Sequence, residues 1–123
     1  GSGKTHFLAL FVTWYLSTFK PQSTEDKNFM IGVTAFTRSA IDNLLDRIAN
    51  VQKEGNKTGD FTIVRTVKEF KNPIDGVNDC KAETLPKKIS GGKLGIPGKP
   101  IVVGGTVWDW YKIRKEWKGE QWT

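Results

Sequence analysis

The sequence has few of the residues from which disulfides and metal centres are built. Cys80 is the only cysteine and His6 the only histidine among 123 residues. A single cysteine excludes an internal disulfide, and one thiol with one imidazole makes no metal centre. This composition is typical of a reducing compartment, so we expect a cytoplasmic or nuclear protein.

Long apolar runs are also missing. The densest run, residues 7–16, is too short to span a bilayer, and no basic segment precedes it as one would in a signal peptide. We therefore expect no membrane partner. The chain has 19 Lys and Arg against 13 Asp and Glu, a net charge of +6. That excess is compatible with a nucleic-acid partner and equally with a solvated basic face.

The chain begins with "GSGKT", and its last three letters match the end of the phosphate-binding loop G-x-x-x-x-G-K-[ST]. In such a loop, backbone N–H groups at a helix N-terminus surround phosphate oxygens. Lys4 would reach the β- and γ-phosphates, and the Thr5 hydroxyl would bind Mg²⁺. A Gly-Ser cloning scar is the alternative. We favour the loop because the motif leads directly into a long apolar segment.

Short apolar runs predict three strands of one parallel sheet. They are Phe29–Thr34, Phe61–Arg65 and Ile101–Gly105, each a continuous run of the kind that is buried on both faces. Helical segments alternate with them, which is the order of an α/β fold. Between the second and third runs, residues 68–99 contain three prolines and the cluster "SGGKLGIPGKP". We expect these residues to form a loop or an inserted excursion.

Three helices are predicted, beginning near Gly3, Ser39 and Val107. The first is apolar around its circumference up to about Phe19, so we expect a buried helix that can be covered on both sides only inside a larger domain. The second has apolar residues at helical spacing along one face. Its N-terminus carries a capping signal, Ser39 with Asp42, and Thr37 is a competing N-cap.

Several segments together resemble the first RecA-like domain of the superfamily 1 DNA and RNA helicases. "GSGKT" is similar to the end of motif I, "VTAFTRSAIDNLL" to motif Ia, and "VVGGTVWDWYK" to the strand whose Gly-Thr end forms motif Ic. They occur in the family's order and span the chain from residue 1 to about residue 112. One departure is Arg38, which stands where the family usually has Asn, so a polar contact is either replaced by a charge on phosphate or lost.

The resemblance implies two groups of site residues. ATP would be bound by Gly1, Ser2, Gly3, Lys4 and Thr5, with Lys4 and Thr5 catalytic and Thr5 a ligand of Mg²⁺. A single-stranded nucleic acid would follow a path lined by Thr34, Ala35, Phe36, Thr37, Arg38, Gly105 and Thr106. For Thr37, a plain helix cap is an equally good interpretation.

Tryptophans and cations alternate near the end of the chain. Trp108, Trp110, Tyr111, Trp117 and Trp122 are interleaved with Lys112, Arg114, Lys115 and Lys118. This pattern resembles a base-stacking platform. Because Trp110, Ile113 and Trp117 fall at helical spacing, core packing is the interpretation that we favour for the stripe.

Other parts of the family pattern are missing from the sequence. The first glycine of motif I would precede Gly1, and no apolar run ends in Asp-Glu. We therefore expect an incomplete three-layer parallel-sheet P-loop NTPase domain covering residues 1–123, from a parent motor with two RecA-like domains. The parent would hydrolyse ATP and the fragment alone would be inactive. The alternatives are a nucleic-acid-binding module without ATP turnover, or an unrelated P-loop enzyme.

Overall fold

The computed structural model describes residues 2–18, 30–56, 59–90, 94 and 99–116. Helices and strands alternate along most of these residues, and a 3-10 turn at Ala82–Thr84 precedes the third helix. The helices are α1 (Ser2–Thr18), α2 (Arg38–Glu54), α3 (Leu85–Ser90) and α4 (Val107–Glu116), and the strands are β1 (Met30–Ala35), β2 (Thr62–Val67), β3 (Asn78–Lys81) and β4 (Ile101–Thr106).

The strands of the described residues form one parallel sheet in the order β1-β4-β2-β3. β1 and β4 pair along their whole length, from Met30 opposite Ile101 to Ala35 opposite Thr106. The three predicted strands are confirmed within two residues of their ends, as is their parallel arrangement. The predicted helix starts near Gly3, Ser39 and Val107 are confirmed to within one residue.

Helices cover both faces of the sheet, which gives three layers. Successive strand side chains point to opposite faces, so Val102 packs with α1 and α2 while Ile101 and Val103 pack with α3 and α4. The architecture is α/β with an all-parallel sheet flanked by helices. It is compatible with Rossmann-like and RecA-like folds and is not specific to P-loop NTPases.

The prediction of a loop or inserted excursion at residues 68–99 is wrong for residues 78–90, which form β3, the 3-10 turn and α3. β3 was missed because its sequence, "NDCK", has no apolar run. α3 was missed because Pro86 suggested a break. Pro86 lies in the first turn of α3, where no helical hydrogen bond is lost. Leu85 and Ile89, four residues apart, are the buried face of this helix.

Among the described residues, α1 is covered on one side only. α1 packs mainly on α2, through a buried face that includes Ala9, Val12 and Leu16. Its other sides expose large apolar side chains, namely Phe7, Leu8, Leu10, Phe11, Trp14 and Tyr15. Because α1 is apolar around its circumference, the sequence could not indicate which side α2 covers. None of the helices described is both long and apolar enough to cross a membrane.

Candidate functional site

The carboxyl ends of β1 and β4 lie side by side at one edge of the sheet. Ala35, the last residue of β1, is opposite Thr106, the last residue of β4. "VTAFT" and "GGT", which are far apart in the sequence, therefore meet at this edge. α2 and α4 begin directly after the two strands. In open parallel sheets, ligands bind outside the carboxyl ends of the strands, where helix N-termini also lie.

The residues predicted to contact nucleic acid differ in exposure. Thr34, Phe36 and Thr37 are exposed, whereas Ala35 and Arg38 are half-buried. Gly105 and Thr106 are buried. The implied nucleic-acid path requires Thr37, Arg38 and Thr106 to face solvent together at this edge, and for Thr106 this is wrong. The exposed part of the site comes mainly from the β1 side.

Thr106 is buried because it caps α4. Its Oγ1 accepts a hydrogen bond from the Asp109 N–H at 3.3 Å, while Asp109 Oδ2 accepts one from the Thr106 N–H at 3.2 Å. This reciprocal arrangement is a capping box, which satisfies two N–H groups at the start of a helix. It fixes the direction in which α4 leaves the edge of the sheet.

The Asp109 carboxylate joins the ends of β4 and β2 to the start of α2. Besides capping α4, it accepts hydrogen bonds from Thr66 Oγ1 at 2.9 Å and from Arg38 Nη2 at 2.9 Å. Arg38 Nη1 also donates to the Thr66 carbonyl at 2.9 Å. Thr66 belongs to β2 and Arg38 begins α2. The buried carboxylate is thus paired and hydrogen-bonded, as a buried charge must be.

Two guanidinium nitrogens of Arg38 therefore donate hydrogen bonds within the protein. Its side chain is 39% exposed, while that of Asp109 is only 3% exposed. The carboxylate offsets the positive charge of the guanidinium at close range. Of the two outcomes that the sequence left open for Arg38, the geometry favours loss of the contact over a charge on phosphate, because two guanidinium nitrogens are bound within the protein.

Two glycines permit this close packing of β4. A Cβ on Gly105 would collide with Thr66 Oγ1 and would come within 3.2 Å of Asp109 Cβ. A Cβ on Gly104 would lie 2.8 Å from Leu45 of α2. The "GG" pair thus lets α2 approach one part of the strand and lets the Asp109 cluster form at its end.

A second charged cluster, with Arg65 at its centre, lies near the ends of β2 and β3. Its Nε and Nη2 donate to Asp79 Oδ1 and Oδ2 at 2.9 and 2.7 Å, and its Nη1 donates to Asp42 Oδ1 at 3.2 Å. The hydrogen bonds that Arg65 donates to Asp79 are the main cause of a raised pKa of Arg65, and burial of the guanidinium opposes them. Nη2 also donates to the carbonyls of Lys71 and Asn72. The cluster thereby fixes the segment that follows β2.

Thr37 is the N-cap of α2. Its Oγ1 accepts a hydrogen bond from the Ala40 N–H at 3.2 Å. The competing signal, Ser39 with Asp42, is wrong as a cap because α2 already begins at Arg38. Asp42 instead faces Arg65.

The structure describes four of the five residues predicted to bind phosphate, Ser2 to Thr5. Gly1 lies outside the described residues, and Ser2 and Gly3 form the start of α1. Lys4 is exposed and Thr5 is half-buried in the first turn. Mg²⁺ needs near-octahedral oxygen ligands, usually one or two carboxylates together with phosphates and water. Within the described ranges, no group of three His, Cys, Asp or Glu side chains could hold a metal ion. Of the residues predicted to bind Mg²⁺, the site therefore offers one ligand, the hydroxyl of Thr5.

The aromatic residues of α4 divide between its two sides. Ile113 is buried, and half-buried Trp110 donates from Nε1 to the Val33 carbonyl at 3.0 Å. Core packing is confirmed for this part of the stripe. Trp108 and Tyr111 are exposed. Trp117 and Trp122 lie outside the described residues.

Sequence reasoning missed Asp109, Thr66 and Arg65. The pattern Thr106-x-x-Asp109 is a capping box directly after a strand, so it could have identified Asp109. Arg65, inside the apolar run "FTIVRTV", was also a usable signal, because a buried guanidinium requires carboxylate partners. Nothing in the local sequence of Thr66 indicates its partner across the sheet.

Comparison with protein-family models, with curated proteins and with solved structures finds no match to this chain.

Proposed function

We propose that this chain is part of the first RecA-like ATPase domain of a superfamily 1 helicase. The whole enzyme would couple ATP hydrolysis, with Mg²⁺, to movement along single-stranded DNA or RNA. The nucleotide would bind at "GSGKT" and the strand at the carboxyl edge of the sheet. The proposal has two parts, nucleotide binding and strand binding, and different residues support each.

The observation that carries the proposal is the pairing of β1 with β4. One of these strands ends in the segment that resembles motif Ia, and the other ends in the segment that resembles motif Ic. Their last residues, Ala35 and Thr106, are 71 positions apart in the sequence, yet they lie directly opposite each other in the sheet. Every strand of a parallel sheet ends at the same edge, so the support comes from the two segments lying on adjacent strands. In a helicase domain they would contact the same nucleic-acid strand.

The start of α1 supports the nucleotide-binding part. A helix N-terminus carries free N–H groups and a partial positive charge, both of which favour phosphate. Lys4 is exposed in that first turn and can add a full charge to the β- and γ-phosphates. Thr5 is half-buried beside it and would contribute its hydroxyl to the metal.

Mg²⁺, which Thr5 would help to hold, would supply positive charge to offset the charge that develops on the phosphates during phosphoryl transfer. The described residues contribute positioning. Lys4 and the first turn of α1 would orient the phosphates. The remaining contributions in such enzymes, a water-positioning group and an arginine finger, are not assigned to any residue of this chain.

On the nucleic-acid side, the exposed Thr34 and Thr37 hydroxyls can donate to phosphate or sugar oxygens. Such contacts position a strand without reading its sequence. The Arg38–Asp109 pair would keep the two contacting segments at a fixed separation. Strand binding is therefore expected to be largely independent of sequence.

The test is ATP hydrolysis by the full-length protein with and without single-stranded nucleic acid. We expect hydrolysis that single strands stimulate and blunt duplexes do not. Strand binding without any ATP turnover would instead support the alternative, a nucleic-acid-binding module. Turnover that ignores nucleic acid would favour an unrelated P-loop enzyme.

A further inference from the structure

One side of α1 carries a row of exposed aromatic rings. Phe7, Phe11 and Trp14 follow one another at spacings of four and three residues, which places them along one stripe of the helix. Ala9 and Leu16 lie on the opposite stripe, which is buried. Phe7 is 70% exposed, Phe11 51% and Trp14 62%. The sequence predicts a helix covered on both sides, and the described residues cover one.

The rings of this row contact one another. The centroid of the Phe11 ring lies 6.3 Å from that of Trp14, and also 6.3 Å from that of Tyr15. The Phe11 and Tyr15 rings are stacked, with an interplanar angle of 19°. Ring pairs at such separations attract each other and fix the side chains in place. A surface that is already ordered loses little side-chain entropy when another surface packs on it.

The exposed apolar surface of α1 is large for a single helix. The row, together with Leu8, Leu10 and Tyr15, exposes roughly 600 Å², if each full side chain has about 150–250 Å². The largest apolar patch on a typical monomer is about 300–600 Å². Two such faces packed together would remove roughly 1,200 Å² from water, the area at which stable interfaces begin. A second copy of the same face is therefore a sufficient partner in area.

The distribution of charge also favours a second copy. Lys4 is the only Lys, Arg, Asp or Glu in α1, whereas the whole chain has a net charge of +6. A polyanion would find no row of cations on this face, and a basic partner would find no acid. Two copies repel each other through their net charge, and α1 is a surface on which they can approach. If the helices are antiparallel, the two Lys4 side chains lie at opposite ends.

We infer that two copies of this chain associate through α1, with the helices antiparallel about a two-fold axis near Phe11. A two-fold interface joins the same surface of both copies, so Phe7 of each copy faces Trp14 of the other. Lys4 lies at the rim of this contact and the carboxyl edge of the sheet lies outside it. The inference concerns the side chains of α1 and does not depend on the proposed function.

Analytical ultracentrifugation of the full chain tests this association. Concentrations from about 1 to 100 µM are suitable, because interfaces of this modest size give affinities no tighter than micromolar in many complexes. We expect the mass to rise from one copy to two and to stop there. Phe11→Lys places like charges on both sides of the axis and should weaken association by about 100-fold or more. Phe70→Lys is the matched control, because Phe70 is similarly exposed, 62%, but lies outside α1, and it should still associate.

Salt provides a second measurement. Salt screens the repulsion between two positively charged chains, so association through an apolar face should tighten as salt is added. Binding of a nucleic acid would weaken under the same change. Association that weakens with salt would contradict an apolar contact between like-charged copies.

Cysteine cross-linking tests the direction of the helices. In Phe11→Cys the two new thiols face each other across the axis and should form a disulfide between copies under mild oxidation. In Phe7→Cys they lie roughly 12 Å apart along the helices and should cross-link far more slowly. The native Cys80 is buried and does not compete. Equal cross-linking of the two variants would overturn the antiparallel arrangement.

A mass of one copy at every concentration would overturn the dimer and leave the exposed side of α1 to be covered within a larger domain. A mass that grows past two copies would also overturn it, because a two-fold contact closes at two. Neither result bears on nucleotide or strand binding, which ATP hydrolysis tests separately.

Discussion

Arg38 and Asp109 are 71 positions apart in the chain, and Arg38 Nη2 lies 2.9 Å from Asp109 Oδ1 at the carboxyl edge of the sheet. This pair links the start of α2 to the first turn of α4. Thr66 of β2 joins it through its hydroxyl and its carbonyl. The cluster thus holds together the elements that would contact nucleic acid.

Asp109→Ala should lower the free energy of unfolding by about 3 kcal/mol, the lower end for removing one partner of a buried pair, because Arg38 is partly exposed. Arg38→Ala leaves the carboxylate with only Thr66 and a backbone N–H. Urea denaturation of both single variants and of the double variant measures their coupling. We expect the double variant to lose less than the sum of the singles by about 1 kcal/mol or more. Strict additivity would show that the pair contributes no interaction of its own.

Gly105→Ala should destabilise the chain by about 1–3 kcal/mol, because the new methyl group enters the space that Thr66 Oγ1 occupies. The matched control is Gly59→Ala, where nothing lies within 4 Å of the added Cβ. That variant should stay within about 0.5 kcal/mol of the parent. Thermal unfolding of both variants is the measurement. A Gly105→Ala chain as stable as its control would contradict the described packing of β4 against Asp109.

Most strands of the sheet could be predicted from the sequence, but the partners within these side-chain clusters could not. β2 and β4 were predictable because a strand buried on both faces is apolar throughout, and β4 is buried along its whole length. β1 has the same kind of apolar run, although its residues are half-buried or exposed at an edge of the described sheet. β3 was not predictable, because an edge strand needs no apolar run and is held here by Asp79 and Asn78. The partners of Asp109 depend on strand order, which local sequence does not encode. The exposed side of α1 was unpredictable because the helix is apolar around its whole circumference.

The Arg65 cluster should stabilise the segment after β2. Asp79→Ala leaves Arg65, whose side chain is 6% exposed, without its bidentate partner, and should cost about 3 kcal/mol or more. Amide exchange at residues 68–77 should accelerate, because Arg65 also binds the carbonyls of Lys71 and Asn72.

Asp75→Ala is the matched control for Asp79→Ala. Asp75 pairs with Lys53, which lowers the pKa of the Asp75 carboxyl, but this pair is exposed. A depressed carboxyl pKa stabilises the fold at neutral pH, and that contribution is lost as the pH falls through the folded-state pKa. Solvent screens an exposed pair, so we expect little change in stability. Equal losses in the two variants would contradict the distinction between the buried and the exposed pair.

The chain by itself should show no ATP hydrolysis. Phosphoryl transfer depends on positioning and on charge stabilisation by several groups, and an arginine finger alone contributes about 10³–10⁵ in turnover. Lys4 and Thr5 supply only part of that arrangement. A phosphate-release assay on the purified chain checks this. Turnover that disappears in Lys4→Ala would contradict it and would direct attention to Asp42, Asp46, Asp60 and Glu69 as catalytic carboxylates.

The most direct test of the proposed function is ATP hydrolysis by the full-length protein with Lys4→Ala. Lys87→Ala is the control, because Lys87 is also exposed but lies on α3. If "GSGKT" is the end of a phosphate-binding loop, single-strand-stimulated hydrolysis is lost in Lys4→Ala and kept in Lys87→Ala. Unchanged hydrolysis in Lys4→Ala would contradict the proposal and identify "GSGKT" as a Gly-Ser scar or a chance match.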